Sequence, residues 1–366
     1  MSESQLVTHP IIDRHQLREI WLQKQWTSGE TFHLYIHNPF CLTECTFCKH
    51  RGLKTKIGSD IYETYYQQYL PDLISHYSDV IAGHELHSVY FGGGTSSMMT
   101  SEIMIDIFSS IPNFEAIRFK TFECNPSIMN EEKINILASR GFNYVSFGVQ
   151  TFDTRILKAN NRPAVPTERF NRLCDLVYKN GIALNCDLIT FIDKKDPSDL
   201  QQLARDLYAL ADGVRPDVIT VYAETFRLRS ISPAEQIRFA GLLRQCLVEF
   251  EERCQGLYRI LSRSREEFFS LEAIRKGLYT DYRIYRTNIS DPALEAARSY
   301  NCSGDRKAPA LQNTLGLGSL LGEPDPSYTY MGKDFYCVEV NRNWVPEYRV
   351  MWDYRAPLPG APAAAA

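Results

Sequence analysis

The sequence predicts an α/β protein built on a mainly parallel sheet with helical crossovers, and three observations carry that expectation. Six short apolar, β-rich segments recur, at 32–40, 88–93, 119–125, 144–151, 183–190 and 218–225. Helix-like segments lie between most of them, at 60–82, 101–111, 131–140, 167–179 and 199–211. Strand–helix alternation of this kind returns each strand parallel to the one before. Polar landmarks also fall at the ends of the strand segments. They are Cys41, the run Gly92-Gly93-Gly94-Thr95, Glu123 with Asn125, Gln150, Asp187, and Tyr222 with Glu224. A barrel and an open sheet both fit the alternation, and in either one ligands bind at the C-terminal strand ends.

Element ends are marked locally. Asn130 stands as N-cap of the 131–140 helix and Gly141 as its stop, and Lys179-Asn180-Gly181 closes the 167–179 helix in the same way. Beyond about residue 230 the pattern changes. A long helix is predicted over 233–254 and another over 265–278, followed by a strand at 281–289. A glycine-rich turn is read at 315–322 and a further strand at 335–341. The expected organisation is an N-terminal extension (1–28), a core (29–230), a smaller α+β accessory or substrate domain (231–355) and a low-complexity, disordered tail (356–366).

Composition excludes several classes. The chain has 366 residues, 44% hydrophobic and 23% charged, enough for a substantial core. Its net charge is −4 with no basic block, which argues against a nucleic-acid partner. No apolar run approaches the ~18 residues of a membrane span, and the first residues lack the apolar stretch of a signal peptide. The reading is a cytoplasmic protein with no membrane partner, so its ten cysteines are thiols or metal ligands rather than disulfides.

Three of those cysteines, Cys41, Cys45 and Cys48, form a C-x3-C-x2-C run after the first strand. Three thiolates so spaced can hold three irons of a 4Fe–4S cube and leave the fourth open to a substrate. A zinc site is the competing reading, but zinc motifs usually supply two ligand pairs, and no second C-x2-C exists here. Gly93 and Gly94 let backbone approach a ligand, or make a plain turn. Taken alone, Glu123 and Asp187 read as ion-pair partners at the rim, and Arg162 as an exposed loop charge. Strand alternation turns Glu123 and Asp187 toward the interior and Cys124 and Cys186 toward the helices. Those two cysteines, with Cys174, Cys246 and Cys254 on helices, read as packing residues. Cys302 and Cys337 are unassigned, and His33 reads as structural.

The motifs resemble those of radical S-adenosylmethionine (SAM) enzymes of the oxygen-independent coproporphyrinogen III oxidase-like family. YIHNPFCLTECTFC matches the family's cysteine motif, with Phe47 at its aromatic position. VYFGGGTSS, FECNP, GFNYVSFGVQTFDTRILKANNRP and LNCDLI match the further segments of its pattern. The resemblance covers about 30–230 well and 280–322 faintly. It implies a partial (β/α)6 radical SAM barrel with Cys41, Cys45 and Cys48 on a 4Fe–4S cluster. It places Tyr35, Gly93, Gly94, Thr95, Glu123, Gln150, Arg162 and Asp187 around SAM, and it assigns no catalytic residue. Partners implied are a small-molecule substrate and an electron donor such as flavodoxin or ferredoxin.

In that family the cluster cleaves SAM reductively, giving a 5′-deoxyadenosyl radical that removes hydrogen from carbon. The porphyrinogen oxidase itself has a further cysteine two residues after the third, where this chain has His50. The resemblance therefore points away from that oxidase. The heme chaperones carry His-Asn-x-x-Tyr-Trp before a Gly-x-Gly turn. Here Tyr300-Asn301-Cys302-Ser303-Gly304 stands in its place, without the histidine or tryptophan. The first expectation is a two-SAM enzyme transferring a methyl or methylene-derived carbon to a biosynthetic intermediate. A one-SAM oxidoreductase or carbon–carbon bond former is the second, and a heme chaperone-like protein the third.

Overall fold

The computed structural model describes residues 10–48, 51–190, 200–222, 232–260, 281–290, 312–320, 328–331, 335–342 and 344–353. His50, Glu224, the helix expected at 265–278, Cys302 and the tail lie outside the described residues. Along the chain come β1 (Ile11–Asp13), α1 (Arg14–Leu22), β2 (Thr31–Asn38), β3 (Phe40–Cys41) and β4 (Leu53–Lys54). Next are α2 (Asp60–Thr64), a π turn (Tyr65–Tyr69), α3 (Leu70–His76), α4 (Ser78–Ala82), β5 (Leu86–Gly93) and α5 (Ser101–Ser110). Then follow β6 (Phe119–Cys124), α6 (Glu131–Ser139), β7 (Tyr144–Gln150), α7 (Thr154–Ala159), α8 (Thr167–Lys179), β8 (Ala183–Ile189), α9 (Gln201–Asp212) and β9 (Val218–Tyr222). The chain continues with α10 (Pro233–Arg253), β10 (Tyr258–Ile260), β11 (Asp281–Arg286), β12 (Gln312–Leu317), β13 (Tyr328–Met331), β14 (Phe335–Arg342) and β15 (Val345–Asp353).

The chain divides into two compact units. One holds residues 1–42, 49–120 and 299–366, the other 43–48 and 121–298. In the first unit the strand order is β1-β15-β14-β13-β12-β2-β5. β12, β2 and β5 run parallel, while β12 to β15 and β1 pair antiparallel. In the second unit β6, β7, β8 and β9 are parallel neighbours, and β11 and β10 continue the sheet antiparallel beyond β9. Helical crossovers α6, α8 and α9 connect the parallel strands, as the alternation predicts.

The helix caps follow the sequence signals. Asn130 Oδ1 accepts from Lys133 N (2.9 Å), and Gly141 takes φ 71° just past α6. Ser232 and Glu235 form a reciprocal capping box on α10, with Pro233 in its first turn. Three expectations change. The segment 60–82 is not one helix, because α2 opens into a π turn immediately before α3. In a straight α-helix the Pro71 ring would meet the Gln67 carbonyl, and the wider turn relieves that clash. The glycine-rich stretch at 315 is a strand, not a turn, since Leu315 to Leu317 pair with Leu34 to Ile36 of β2. Residues 11–22 join the first unit: β1 pairs with β15, and α1 buries Leu17, Ile20 and Trp21.

The boundary expected near residue 230 falls within the second unit, and the segment beyond it contributes strands to both units. Among the described residues no helix is long and apolar enough to cross a membrane.

Two glycines should respond oppositely to alanine. A Cβ on Gly316 would stand 2.3 Å from the Tyr328 carbonyl oxygen, whereas one on Gly241 of α10 meets nothing within 4 Å. Urea unfolding should show Gly316→Ala destabilised by about 2–3 kcal/mol. Gly241→Ala should gain about 0.5–1 kcal/mol from helix propensity. A Gly316→Ala protein as stable as the parent would contradict the packing of β12.

Candidate cofactor site

In the first unit β2 delivers the first cysteine. Its last residue, Asn38, lies opposite Gly93 of β5, and Pro39 then carries the chain into Phe40 and Cys41. Glycines wrap this turn because nothing larger fits. A Cβ would stand 2.7 Å from the His37 ring at Gly93, 2.6 Å from the Phe40 oxygen at Gly94 and 2.2 Å from the Pro39 oxygen at Gly52. Gly93 also takes φ 98°. The glycine run therefore has a packing duty at the root of the cysteine loop, with Gly94 N donating to Asn38 O at 2.7 Å. Cys41 Sγ sits 3.5 Å from Thr95 Oγ1 and receives the Gly52 N–H at 3.3 Å. Hydrogen bonds to sulfur are among the features that tune iron–sulfur centres.

The strand end is fixed from beneath by tyrosines. Asn38 Nδ2 donates to Ser96 Oγ (2.8 Å) and Gly92 O (3.1 Å), and its Oδ1 accepts from Tyr66 Oη (3.0 Å). Tyr65 Oη shares its one proton between His37 O (2.6 Å) and Gly318 O (2.8 Å). Gly318 N and Tyr69 Oη both donate to the buried Glu339 carboxylate. Tyr35 Oη lies 3.0 Å from His37 Nδ1, and its ring stacks on Tyr90. His33 hydrogen-bonds Ser88 and Thr31, and burial holds its pKa down at about 3. It is a neutral structural residue, as expected.

In the second unit the loop of Cys45 and Cys48 docks on the stretch 160–162. Thr46 N donates to Asn160 O (3.2 Å), Thr46 Oγ1 to Asn160 Oδ1, and Asn161 Nδ2 to Glu44 O (3.4 Å). Phe47 and Cys45 are buried and pack with Cys48, Ile156 and Ile189. Arg162 Nη1 lies 3.8 Å from Cys45 Sγ, while its Nη2 donates to Gly148 O. Gly148 leaves room for two side chains, since a Cβ there would stand 2.8 Å from Gln150 Nε2 and 2.9 Å from Arg162 Nη2 and would displace their ends. A register shift in the β7–β8 pairing follows Gly148, and Gln150 sits at φ 70°. Its Oε1 is buried without a hydrogen-bond partner.

Glu123 and Asp187 belong to a polar rung across the sheet of this unit. In register, Glu123 lies opposite Ser146, Ser146 opposite Asn185, Asp187 opposite Thr220, and Thr220 opposite Arg283. Asp187 accepts from Ser146 Oγ and from Asn185 Nδ2, both at 2.7 Å, and Thr220 Oγ1 donates to Asn185 Oδ1 at 2.8 Å. Burial, with Glu123 adding to it, pushes the Asp187 carboxyl up to about 7 against these donors and Arg283. Cys124 and Cys186 are buried, and burial pushes both thiols well up, with smaller influences from Lys133 of α6 and Glu123 on the first and from Cys174 of α8, Asp187 and Asp217 on the second. The rung partners Ser146, Asn185 and Thr220 escaped the sequence reading, although each strand's alternation places them with the landmarks. Arg283, 9% exposed, also escaped it, because nothing in the sequence pairs its strand with β9.

The residues present fit a 4Fe–4S cluster and SAM on two grounds. Cys41, Cys45 and Cys48 form no disulfide, and Cys41 and Cys45 face N–H donors. The buried, unpartnered Gln150 oxygen in a left-handed conformation is the kind of uncompensated polar atom that a bound ligand satisfies. Among the described residues no three His, Cys, Asp or Glu side chains group around a single ion. A cubane differs from that arrangement, since each thiolate meets its own iron.

The fold and these motifs define a class, and residues 35–207 match the Radical SAM superfamily. The chain therefore carries a radical SAM domain, whose cofactors across the superfamily are the cluster and SAM. Its relatives are of the coproporphyrinogen oxidase-like kind. It is 30% identical over 200 residues to the oxygen-independent coproporphyrinogen III oxidase of Paracoccus denitrificans (53% of this chain, 43% of that one). It is 33% identical over 127 residues to the heme chaperone HemW of Haemophilus influenzae (33% of each chain). The chain thus spans less than half the length of either relative. The structure of the coproporphyrinogen III oxidase HemN from Escherichia coli superposes with TM-score 0.64 at 18% identity, covering 92% of this chain and 73% of that one. The fold is the α/β fold of that enzyme.

Asp187 makes stability pH-dependent in a stated direction. A carboxyl raised from 3.8 to about 7 by folding binds its proton more tightly in the native state. The native state then loses stability as pH rises through that window, and the penalty is complete above it. Thermal unfolding from pH 4.5 to 8 should show Asp187→Asn gaining on the parent as pH rises. A gap that does not change with pH would contradict the buried environment.

Proposed function

We propose that this protein is a radical SAM enzyme acting on a small-molecule biosynthetic intermediate. The observation that carries the reading is the docking of the Cys45 loop on Asn160, Asn161 and Arg162. This joins the cysteine motif to the signature segment 141–163 in one hydrogen-bonded piece. When bound, cluster and SAM supply one-electron cleavage of SAM and hydrogen-atom abstraction from carbon.

The chain's own residues have separable tasks in this reading. Cys41, Cys45 and Cys48 hold three irons. Arg162 offers a guanidinium to the SAM carboxylate, and Glu123 accepts from its ammonium. The Gln150 side chain and Asp187 bind further polar groups, with Gly93, Gly94 and Thr95 along the methionine part. Phe47, Ile156 and Ile189 exclude water from the Cys45 side. Tyr65 and Tyr66 fix the end of β2, and with it Cys41.

Within this class the favoured reaction is transfer of a methyl or methylene-derived carbon from a second SAM. Two sequence features support it: His50 in place of the porphyrinogen oxidase's fourth cysteine, and the missing histidine and tryptophan ahead of the Leu315–Gly318 stretch. A one-SAM oxidation is the second reading, and the 30% identity to a coproporphyrinogen III oxidase favours it.

Anaerobic reconstitution with iron and sulfide should give a 4Fe–4S spectrum, lost in Cys45→Ala. With SAM and dithionite the parent should form 5′-deoxyadenosine, and Arg162→Ala should slow this by about 10–100-fold, the cost of losing a charge-assisted contact of about 1.5–3 kcal/mol. No 5′-deoxyadenosine above a Cys48→Ala control overturns the enzyme proposal. Substrate turnover without S-adenosylhomocysteine overturns the methyl-transfer reading and leaves the one-SAM oxidation.

A further inference from the structure

A surface concavity opens on α7 and the loop after it, lined by Thr154, Arg155, Lys158, Asn161, Arg162 and Pro163. Its floor is the stretch that holds the Cys45 loop. Asn160 and Asn161 hydrogen-bond Thr46 and Glu44, and Arg162 reaches from the concavity to within 3.8 Å of Cys45 Sγ. A thiol of the candidate cluster therefore lies one side chain below this surface. The surface is also cationic. Arg155, Lys158 and Arg162 line it, with Asp153 as the acidic partner of Arg155, in a chain whose net charge is −4. The Arg155 side chain is 89% exposed even while it pairs with Asp153, and Lys158 stands exposed on the same helix.

We infer that this concavity is the docking surface for the protein that delivers the electron, a small acidic redox protein of the flavodoxin or ferredoxin kind. The inference rests on the cofactor reading proposed above. Electron tunnelling weakens steeply with distance, so the donor must sit close to the cluster, and Arg162 brings this surface to within 3.8 Å of Cys45 Sγ. In the transfer one electron leaves the donor's reduced flavin or iron–sulfur centre and enters the cluster. The donor is oxidised by one electron, and no bond or proton changes at the surface. Opposite charge at the rim raises the encounter rate and makes it salt-dependent. Arg155 and Lys158 supply that charge without being part of the cofactor contacts, while Arg162 links surface to sulfur.

The test titrates a reduced acidic flavodoxin into the full-length, reconstituted protein at low and high ionic strength. Lys158→Glu should weaken binding at least fivefold, and Arg155→Gln with Lys158→Glu further, at low salt. The difference should shrink at 0.5 M salt, where exposed charges are screened. A basic redox protein, cytochrome c, should not bind. Unchanged flavodoxin affinity in both variants, or equal binding of cytochrome c, overturns the inference. A second measurement compares 5′-deoxyadenosine formation with dithionite and with reduced flavodoxin. Dithionite-driven turnover within about twofold of the parent, with flavodoxin-driven turnover about tenfold slower, supports docking. Equal slowing with both reductants overturns it, because the variants would then have damaged the cofactor site. If the parent itself is inactive with dithionite, the enzyme proposal fails, and the binding titration alone decides the docking surface.

Discussion

Close backbone approach at the end of β2 is the constraint on which the first unit depends. Asn38, Pro39 and Phe40 lie so near Gly93, Gly94 and Gly52 that no side chain fits at those three positions. That contact sets where Cys41 leaves the strand. Tyrosines of the π turn then hold it, with Tyr65 and Tyr66 bonding His37 O and Asn38 Oδ1. Each such bond contributes only about 1 kcal/mol net. Losing one, however, leaves a buried polar group unpaired, which costs more than the bond itself supplies.

The second unit solves a different problem, that of keeping polar groups inside. Ser146, Asn185, Asp187 and Thr220 satisfy one another across three strands, so the rung is a network rather than a set of isolated penalties. Gln150, at the end of β7, differs: its buried oxygen finds no hydrogen-bond partner and its backbone is left-handed.

Much of this was legible in the chain. The six strand segments, their crossovers and the α6 cap follow from periodicity and local chemistry, which are properties of short segments. The cysteine motif and the glycine run were visible because spacing alone constrains them. What could not be read is pairing between distant segments. The stretch Leu315–Gly318 reads as a turn by composition, since glycine is a turn former, yet Gly316 lies in a strand because the Tyr328 backbone must pass within van der Waals contact. Arg283 sits in a strand legible by alternation, but its place on the rung depends on β11 pairing with β9. The change of helix type within 60–82 is foreshadowed by Pro71, whose ring an unbroken α-helix would not accommodate.

The parallel pairing of β12 with β2 has a consequence for where this domain ends. Residues 312–317 cover the flank of the strand that carries Tyr35 and leads to Cys41. A protein trimmed to the segment that matches the Radical SAM superfamily, residues 35–207, would lose that cover and half of β2 itself. The buried Ile36 would then border an unpaired edge, the template from which chains add to one another as sheet. β12 thus guards the motif-bearing strand against such pairing.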